Sequence, residues 1–301
     1  MINFYSYAER YVSNQMKKAG LQKKEIRTQD FVVDYWDSAT KKPCIFLLNG
    51  FGANSEFQWF KQVSLLQNKY RVVVVNLLYF GKSFPKSGTC YEISCQTRMI
   101  EQLRTNLEVN TLSLAGISYG GLIATEYANS HSIRVEQLFL IDAAVKFLTL
   151  SHLDTICQKY KAESIEDFFA PQDAKGLKKQ LSAAYYRTPF IPDFILKSLY
   201  KEMCAPYRKN WLGLIQSLRK SNQELSKRNY KFDFKTTIFW GAEDEIIPLQ
   251  VGKNIAYDLG ETELNVITKA GHMPNLERSK KFNAILQKAI KSNYTIKSAS
   301  V

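Results

Sequence analysis

The sequence predicts an α/β protein with a mostly parallel, doubly wound sheet and a helical segment inserted into it. Three features carry that expectation. Short apolar runs without polar alternation recur along the chain, stretches of helical periodicity separate them, and one long helix-patterned segment interrupts the regular alternation.

The chain opens with Phe4, Tyr5, Ala8, Tyr11, Val12 and Met16 at helical spacing opposite Glu9, Asn14, Lys17 and Lys18. This is an amphipathic helix, expected to dock on the domain core. From Phe31 onward the apolar runs fall at residues 44–48, 72–75, 112–115, 138–141, 238–240 and 264–267. A strand covered by crossover helices on both faces reads as an unbroken apolar run, because neither face meets water. The alternation stops after Asp142 and resumes near Thr236. The helix-patterned residues between, broken by Pro171, Pro189, Pro192 and Pro206, are expected to form a cap, residues 143–235, on a core made of residues 1–142 and 236–301.

Composition narrows the function classes. With 301 residues, 45% apolar and 23% charged, the chain can bury a full core, which excludes disorder as its main state. A net charge of +13 gives a surface that attracts anions. The expected cap carries 17 Lys and Arg against 9 Asp and Glu, about +8 of that total. Without zinc-finger spacing or an RNA-binding aromatic signature, no nucleic acid is expected as a partner. Peripheral contact with an anionic membrane surface stays open. Five cysteines, Cys44, Cys90, Cys95, Cys157 and Cys204, form no CxxC pair, which speaks against a disulfide framework and a zinc site and for a reducing compartment. No run of apolar residues has the length of a signal core or a membrane span. The expectation is a soluble, cytoplasmic protein.

The chemistry centres on Gly116-Ile117-Ser118-Tyr119-Gly120, which follows an apolar strand and opens a helix-patterned stretch. A GxSxG turn lifts its serine above the sheet. A serine hydroxyl is a weak nucleophile and needs a neighbouring base. Of three histidines, His131 and His152 read as surface residues, whereas His272 lies on a glycine-marked loop just beyond the run 264–267, at the strand ends where such sheets place their sites. The acid that orients the base is expected after the run 238–240, in Gly241-Ala242-Glu243-Asp244-Glu245-Ile246-Ile247-Pro248, with Asp244 the choice and Glu243 and Glu245 solvated neighbours. Asp142, after the run 138–141, is the rival. Backbone N–H donors for an oxyanion are expected from Tyr119, directly after the serine, and from Phe51 in Asn49-Gly50-Phe51-Gly52.

These four stretches, in the order oxyanion loop, elbow, acid loop and histidine loop, resemble the α/β-hydrolase superfamily, in particular its capped esterase and lipase branch, over nearly the whole chain. Two positions depart from the family pattern: Asn49 stands where a histidine is usual and Asn76 where an aspartate is usual. The resemblance implies an α/β-hydrolase fold and a serine hydrolase that cleaves carboxylic esters through an acyl-enzyme on Ser118, with lipid-like esters as for monoacylglycerol lipases. No cofactor and no metal are implied. A carbon–carbon bond hydrolase or a thioesterase would need no change in these residues, and an inactive ligand-binding member of the fold is the alternative from another class.

Overall fold

The computed structural model describes residues 3–145, 150–260 and 262–298. Nine strands form one sheet: β1 Gln22–Arg27, β2 Phe31–Asp37, β3 Cys44–Leu48, β4 Arg71–Val75, the two-residue β5 Phe84–Pro85, β6 Leu112–Ile117, β7 Val135–Ile141, β8 Lys235–Gly241 and β9 Leu264–Ile267. Their order is β1-β2-β4-β3-β6-β7-β8-β9, with β5 paired to β2. From β4 to β9 every pairing is parallel, and the antiparallel pairings all involve β2.

The apolar runs of β3, β4, β6, β7 and β8 behave as strands wrapped on both sides, whereas β9, at the sheet edge, buries only Ile267. In β3, Phe46 and Leu48 face one hydrophobic cluster while Ile45 and Leu47 face the other, and all four are fully buried. Each such side chain contributes roughly 1.5–3 kcal/mol of burial. One face packs on the helices Ile93–Asn106 and Tyr119–Ser130, the other on Val12 and Met16 of the first helix and on Phe282 and Leu286 near the C-terminus.

The N-terminal helix spans Phe4–Lys18, with Asn3 capping it by accepting from the Ser6 N–H. Val12 and Met16 dock as expected, but Tyr11 stays exposed, set edge-on to Phe60. The hairpin of β1 and β2 is not legible in the sequence, since β1 (QKKEIR) is a charged edge strand with four of its six residues exposed.

Between β7 and β8 run five described helices: Leu150–Tyr160, Ile165–Phe169, Ala174–Ala184, Asp193–Met203 and Arg208–Ser226. Ser164 and Asp173 cap two of them by accepting from the amides of Asp167 and Gly176, contacts worth about 1 kcal/mol each. Trp211 ties the last helix to the core, donating from Nε1 to the Tyr79 carbonyl at 3.0 Å. No described helix is long and apolar enough to cross a membrane. One expectation is corrected. Cys90 and Cys95 are bonded to each other across Cα atoms 6.1 Å apart, so only Cys44, Cys157 and Cys204 remain free thiols, and the argument from unpaired cysteines for a reducing compartment is correspondingly weaker.

Candidate active site

Ser118 sits between the end of β6 and the helix Tyr119–Ser130, at φ +52° and ψ −117°. That conformation is costly for a residue with a side chain, and the surrounding bonds hold it. The Ser118 N–H donates to Ile141 O at 2.9 Å, and its carbonyl accepts from Gly121 and Ala144. A side chain at Gly116 would place Cβ 2.2 Å from the Gly120 carbonyl oxygen, so the turn closes only with glycine there.

His272 and Asp244 come together from two loops on the same edge of the sheet. His272 Nδ1 lies 2.7 Å from Asp244 Oδ2, and both residues are buried. Asp244 Oδ1 accepts from the amides of Ile246 and Ile247 at 2.8 and 2.9 Å, which fixes the carboxylate plane. Asp142 is fully buried beside this pair. Its Oδ1 accepts from the Gly241 N–H at 2.8 Å. Burial first, and then the charge of Asp244, push its carboxyl well above the usual carboxylate range.

The loop of residues 49–52 closes over the serine. A methyl at Gly50 would stand 2.9 Å from Ser118 Cβ, which measures how closely that backbone approaches. Phe51 follows and lines both cavities at the serine, and Tyr119 is the first residue of the helix after it.

The two departures at Asn49 and Asn76 have a structural reason. Asn49 Oδ1 accepts from the Leu77 N–H and the Ser55 hydroxyl, and Asn76 Oδ1 accepts from the Ser55 N–H at 2.7 Å. Asn76 Nδ2 donates to Asp34 and Glu56, which share the Lys23 ammonium at 3.7 and 3.3 Å. Burial raises the Glu56 carboxyl, with the Lys23 charge opposing. The amide side chains therefore bind a local scaffold of their own under the loop.

Several supporting residues escaped the sequence reading. Gln58 grips Gly50 from both sides, accepting from its N–H at 2.9 Å and donating to its carbonyl at 3.1 Å. Glu277 accepts from the amides of Gly271, Tyr186 and Arg187, tying the histidine loop to the inserted helices. Glu243, expected to be solvated, instead accepts from the Ala270 N–H at 3.0 Å, while Glu245 is exposed and pairs with Lys159. His152, expected at the surface, is half-buried, and its Nε2 lies 2.9 Å from the Ile246 carbonyl in the acid loop. His131 stacks on Tyr127, remote from these loops in sequence and contact.

Two cavities meet at the serine. The inner one, about 840 Å³ of empty space including its solvent-open part, runs from Ser118 past Leu122 and Val145 to Ile215 and Leu225. The outer one contains Ser118 and His272 together and passes Phe57, Leu199 and Met203. Phe51, Ser118, Phe169 and Ile246 line both. Two groups of metal-type donors converge among the described residues, Cys90 with Glu92 and Cys95, and Asp142 with Asp244 and His272. In the first the sulfurs are bonded to each other, and in the second the His272 and Asp244 donor atoms already face one another.

Residues 43–279 match a family described as alpha/beta hydrolase fold. The monoacylglycerol lipase ABHD6 of Bos taurus is 25% identical over 280 residues, covering 89% of this chain and 81% of the bovine protein. A 2-hydroxy-6-oxononadienedioate/2-hydroxy-6-oxononatrienedioate hydrolase of Paraburkholderia phymatum is 23% identical, covering 84% and 89%. Among solved structures, a bacterial membrane phospholipase A superimposes with a TM-score of 0.81 at 22% identity, covering 96% of this chain and 92% of that one. The 2-hydroxy-6-oxo-6-phenylhexa-2,4-dienoate hydrolase of a Rhodococcus strain gives 0.76 at 19% identity, covering 90% and 99%.

Proposed function

The chain belongs to the α/β-hydrolase fold family and is a hydrolase of that family; within it, we propose a serine hydrolase that cleaves carboxylic esters, lipid-like acyl esters above all. The observation that carries this reading is that Ser118 and His272, whose Nδ1 faces Asp244, open onto one apolar cavity. His272, held by Asp244 through Nδ1, takes the Ser118 proton as Oγ attacks the ester carbonyl and returns it to the leaving alcohol. The N–H groups of Phe51 and Tyr119 receive the oxyanion, and water releases the acyl group by the same route. Residues 143–235 act as the cap that closes both cavities, the inner one taking the acyl chain and the outer one the alcohol.

A carbon–carbon bond hydrolase is the second reading, favoured by the likeness to the dienedioate hydrolase. Its substrate carries a carboxylate that needs an unspent cation in the cavity. Arg219, which lines the inner cavity, is paired with Glu166, and Lys61 in the outer one donates to the Leu276 carbonyl at 2.8 Å. Arg219 is matched by a carboxylate, which favours the ester in the inner cavity, whereas Lys61 meets only a neutral carbonyl and keeps its charge. Hydrolysis of p-nitrophenyl esters from acetate to palmitate, beside a monoacylglycerol and a dienoate, tests the choice. Turnover that rises with acyl length is expected, and turnover of the dienoate alone overturns the ester reading.

The same reading extends to an anionic lipid surface as the source of substrate. Phe190 is 93% exposed, and Tyr7, Tyr186 and Phe194 stand out on the segments that line the outer cavity. Phe194 rests against Phe4 at 5.1 Å between ring centroids. Arg10 lies over Tyr7, Arg187 over Tyr186 and Lys61 over Phe60, each about 6 Å from the ring centroid. Rings paired with cations suit the boundary between acyl chains and anionic head groups. Co-sedimentation with phosphatidylglycerol vesicles is expected, weakened at least about tenfold by Phe190→Ser with Arg187→Glu, each charge being worth about 1 kcal/mol at such a surface. Ser118→Ala should bind vesicles as the parent does. Equal binding to neutral phosphatidylcholine, or none to either, removes this extension. The cytoplasm stays the proposed compartment, with the three free thiols in its favour and the Cys90–Cys95 bond against it.

A further inference from the structure

Asp142 is a buried acid that the mechanism above does not use. It follows β7 at φ +42° and is fully buried. Oδ1 is committed to the Gly241 N–H, while Oδ2 is buried without a hydrogen-bond partner. One donor atom each from Asp142, Asp244 and His272 lie within 4.8 Å of one another. The titratable groups that face Asp142 are Asp244, His272 and, farther off, Glu277. A buried carboxyl beside a carboxylate cannot ionise cheaply, so two such groups divide the protons between them unequally.

We infer that Asp142 and Asp244 form one two-carboxyl unit that holds a single proton, with Asp142 its protonated member and the positioning residue behind the Asp244–His272 pair. The inference rests on the catalytic reading above. Asp244 spends three of about four acceptor sites on Ile246, Ile247 and His272, which leaves one for an O–H from Asp142. That hydrogen bond gives the orphaned Oδ2 a role and keeps one net negative charge beside the imidazole. Burial and the Asp244 charge, which raise the Asp142 carboxyl, act in the same direction. When Asp244 is made neutral, Asp142 loses the repelling charge, ionises, and stands within reach of His272 as a reserve anion.

The test compares Asp142→Asn, Asp142→Ala, Asp244→Asn and the double Asn variant by kcat and KM on a soluble p-nitrophenyl ester across pH. Asp244→Asn should keep a kcat that climbs with pH as Asp142 ionises, and the double variant should fall at least about tenfold below it toward the ~10⁴-fold loss of an unoriented histidine, with KM little moved. Asp142→Asn, which still accepts from Gly241, should retain more kcat than Asp142→Ala. Identical kcat for Asp244→Asn and the double variant at every pH overturns the proposal.

A second arm needs no turnover, so it decides the matter even if the ester reading fails. In the unfolded chain Asp142 loses its proton near its ordinary value, whereas the folded chain keeps it to higher pH. Folded protein then binds more protons, and its stability falls as pH rises through that window. The unfolding constant of the parent should grow relative to Asp142→Asn by up to about tenfold per pH unit there. Parallel stability curves count against the proposal. Infrared spectra at neutral pH should show the C=O stretch of a protonated carboxyl in the parent that is lost in Asp142→Asn, Glu56 being a second buried carboxyl; a parent band that Asp142→Asn leaves unchanged, or no band, overturns the proposal.

Discussion

Ser118→Ala is expected to lower kcat on p-nitrophenyl esters by roughly 10⁶, and His272→Ala by about as much, with the double variant no worse than either. The three side chains work as one device, so removing any early member leaves only binding and the oxyanion donors, which sustain roughly 10³–10⁴ over water. Ser118 contributes its strained backbone to the fold through the bonds to Ile141, Gly121 and Ala144, and alanine keeps all of them. The thermal midpoint should therefore stay within a few degrees while turnover and fluorophosphonate labelling vanish together. Activity within tenfold of the parent in Ser118→Ala would move the nucleophile elsewhere and end the serine-hydrolase reading.

The sequence was informative where the physics is local. The run 44–48 becomes β3 residue for residue, because a strand wrapped on both faces leaves an unbroken apolar signature, and 264–267 becomes β9 although that edge strand buries only Ile267. The elbow, acid and histidine loops are legible because each combines a strand end, a glycine and a reactive side chain within a few positions. What escaped depends on contacts distant in sequence. Glu277 reaches Tyr186 across ninety-one positions, and Gln62 meets Asn275 across more than two hundred. Nothing in the spacing of Gln58 or Glu243 separates them from solvated neighbours. The hairpin of β1 and β2 was hidden for another reason, since an edge strand with charged side chains carries no apolar pattern to read.

The inserted helices are bonded to the site's own loops. His272 donates its N–H to the Ala184 carbonyl at 2.9 Å, Glu277 holds the amides of Tyr186 and Arg187, and His152 meets the carbonyl of Ile246. Each bond joins residues 150–226 to the loop that carries either the base or the acid. A displacement of these helices would therefore disturb His272 and Asp244 directly. Substrate entry is accordingly expected through the outer cavity between the first helix and Asp193–Met203, where the contacts are aromatic side chains rather than backbone bonds to the site.

Gly50→Ala should lower kcat by roughly 10²–10³, or about 2.7–4 kcal/mol of lost oxyanion stabilisation, with a much smaller change in KM. The added methyl would lie 2.9 Å from Ser118 Cβ and 3.1 Å from the Ile117 carbonyl oxygen, closer than either contact tolerates. The backbone cannot yield locally. Gln58 holds the Gly50 N–H and carbonyl, and Asn49 donates to that same carbonyl at 3.0 Å. The strain must pass to the next residue, Phe51, whose N–H is the proposed donor, while the Tyr119 donor on its helix stays in place. Loss of one donor of two is thus the expected phenotype. Affinity for a trifluoromethyl ketone, which forms the tetrahedral oxyanion on Ser118, should fall in step with kcat, whereas affinity for a product carboxylic acid should change little. A kcat within threefold of the parent would mean that the loop of residues 49–52 contributes no donor, and that oxyanion stabilisation must come from Tyr119 and the helix behind it.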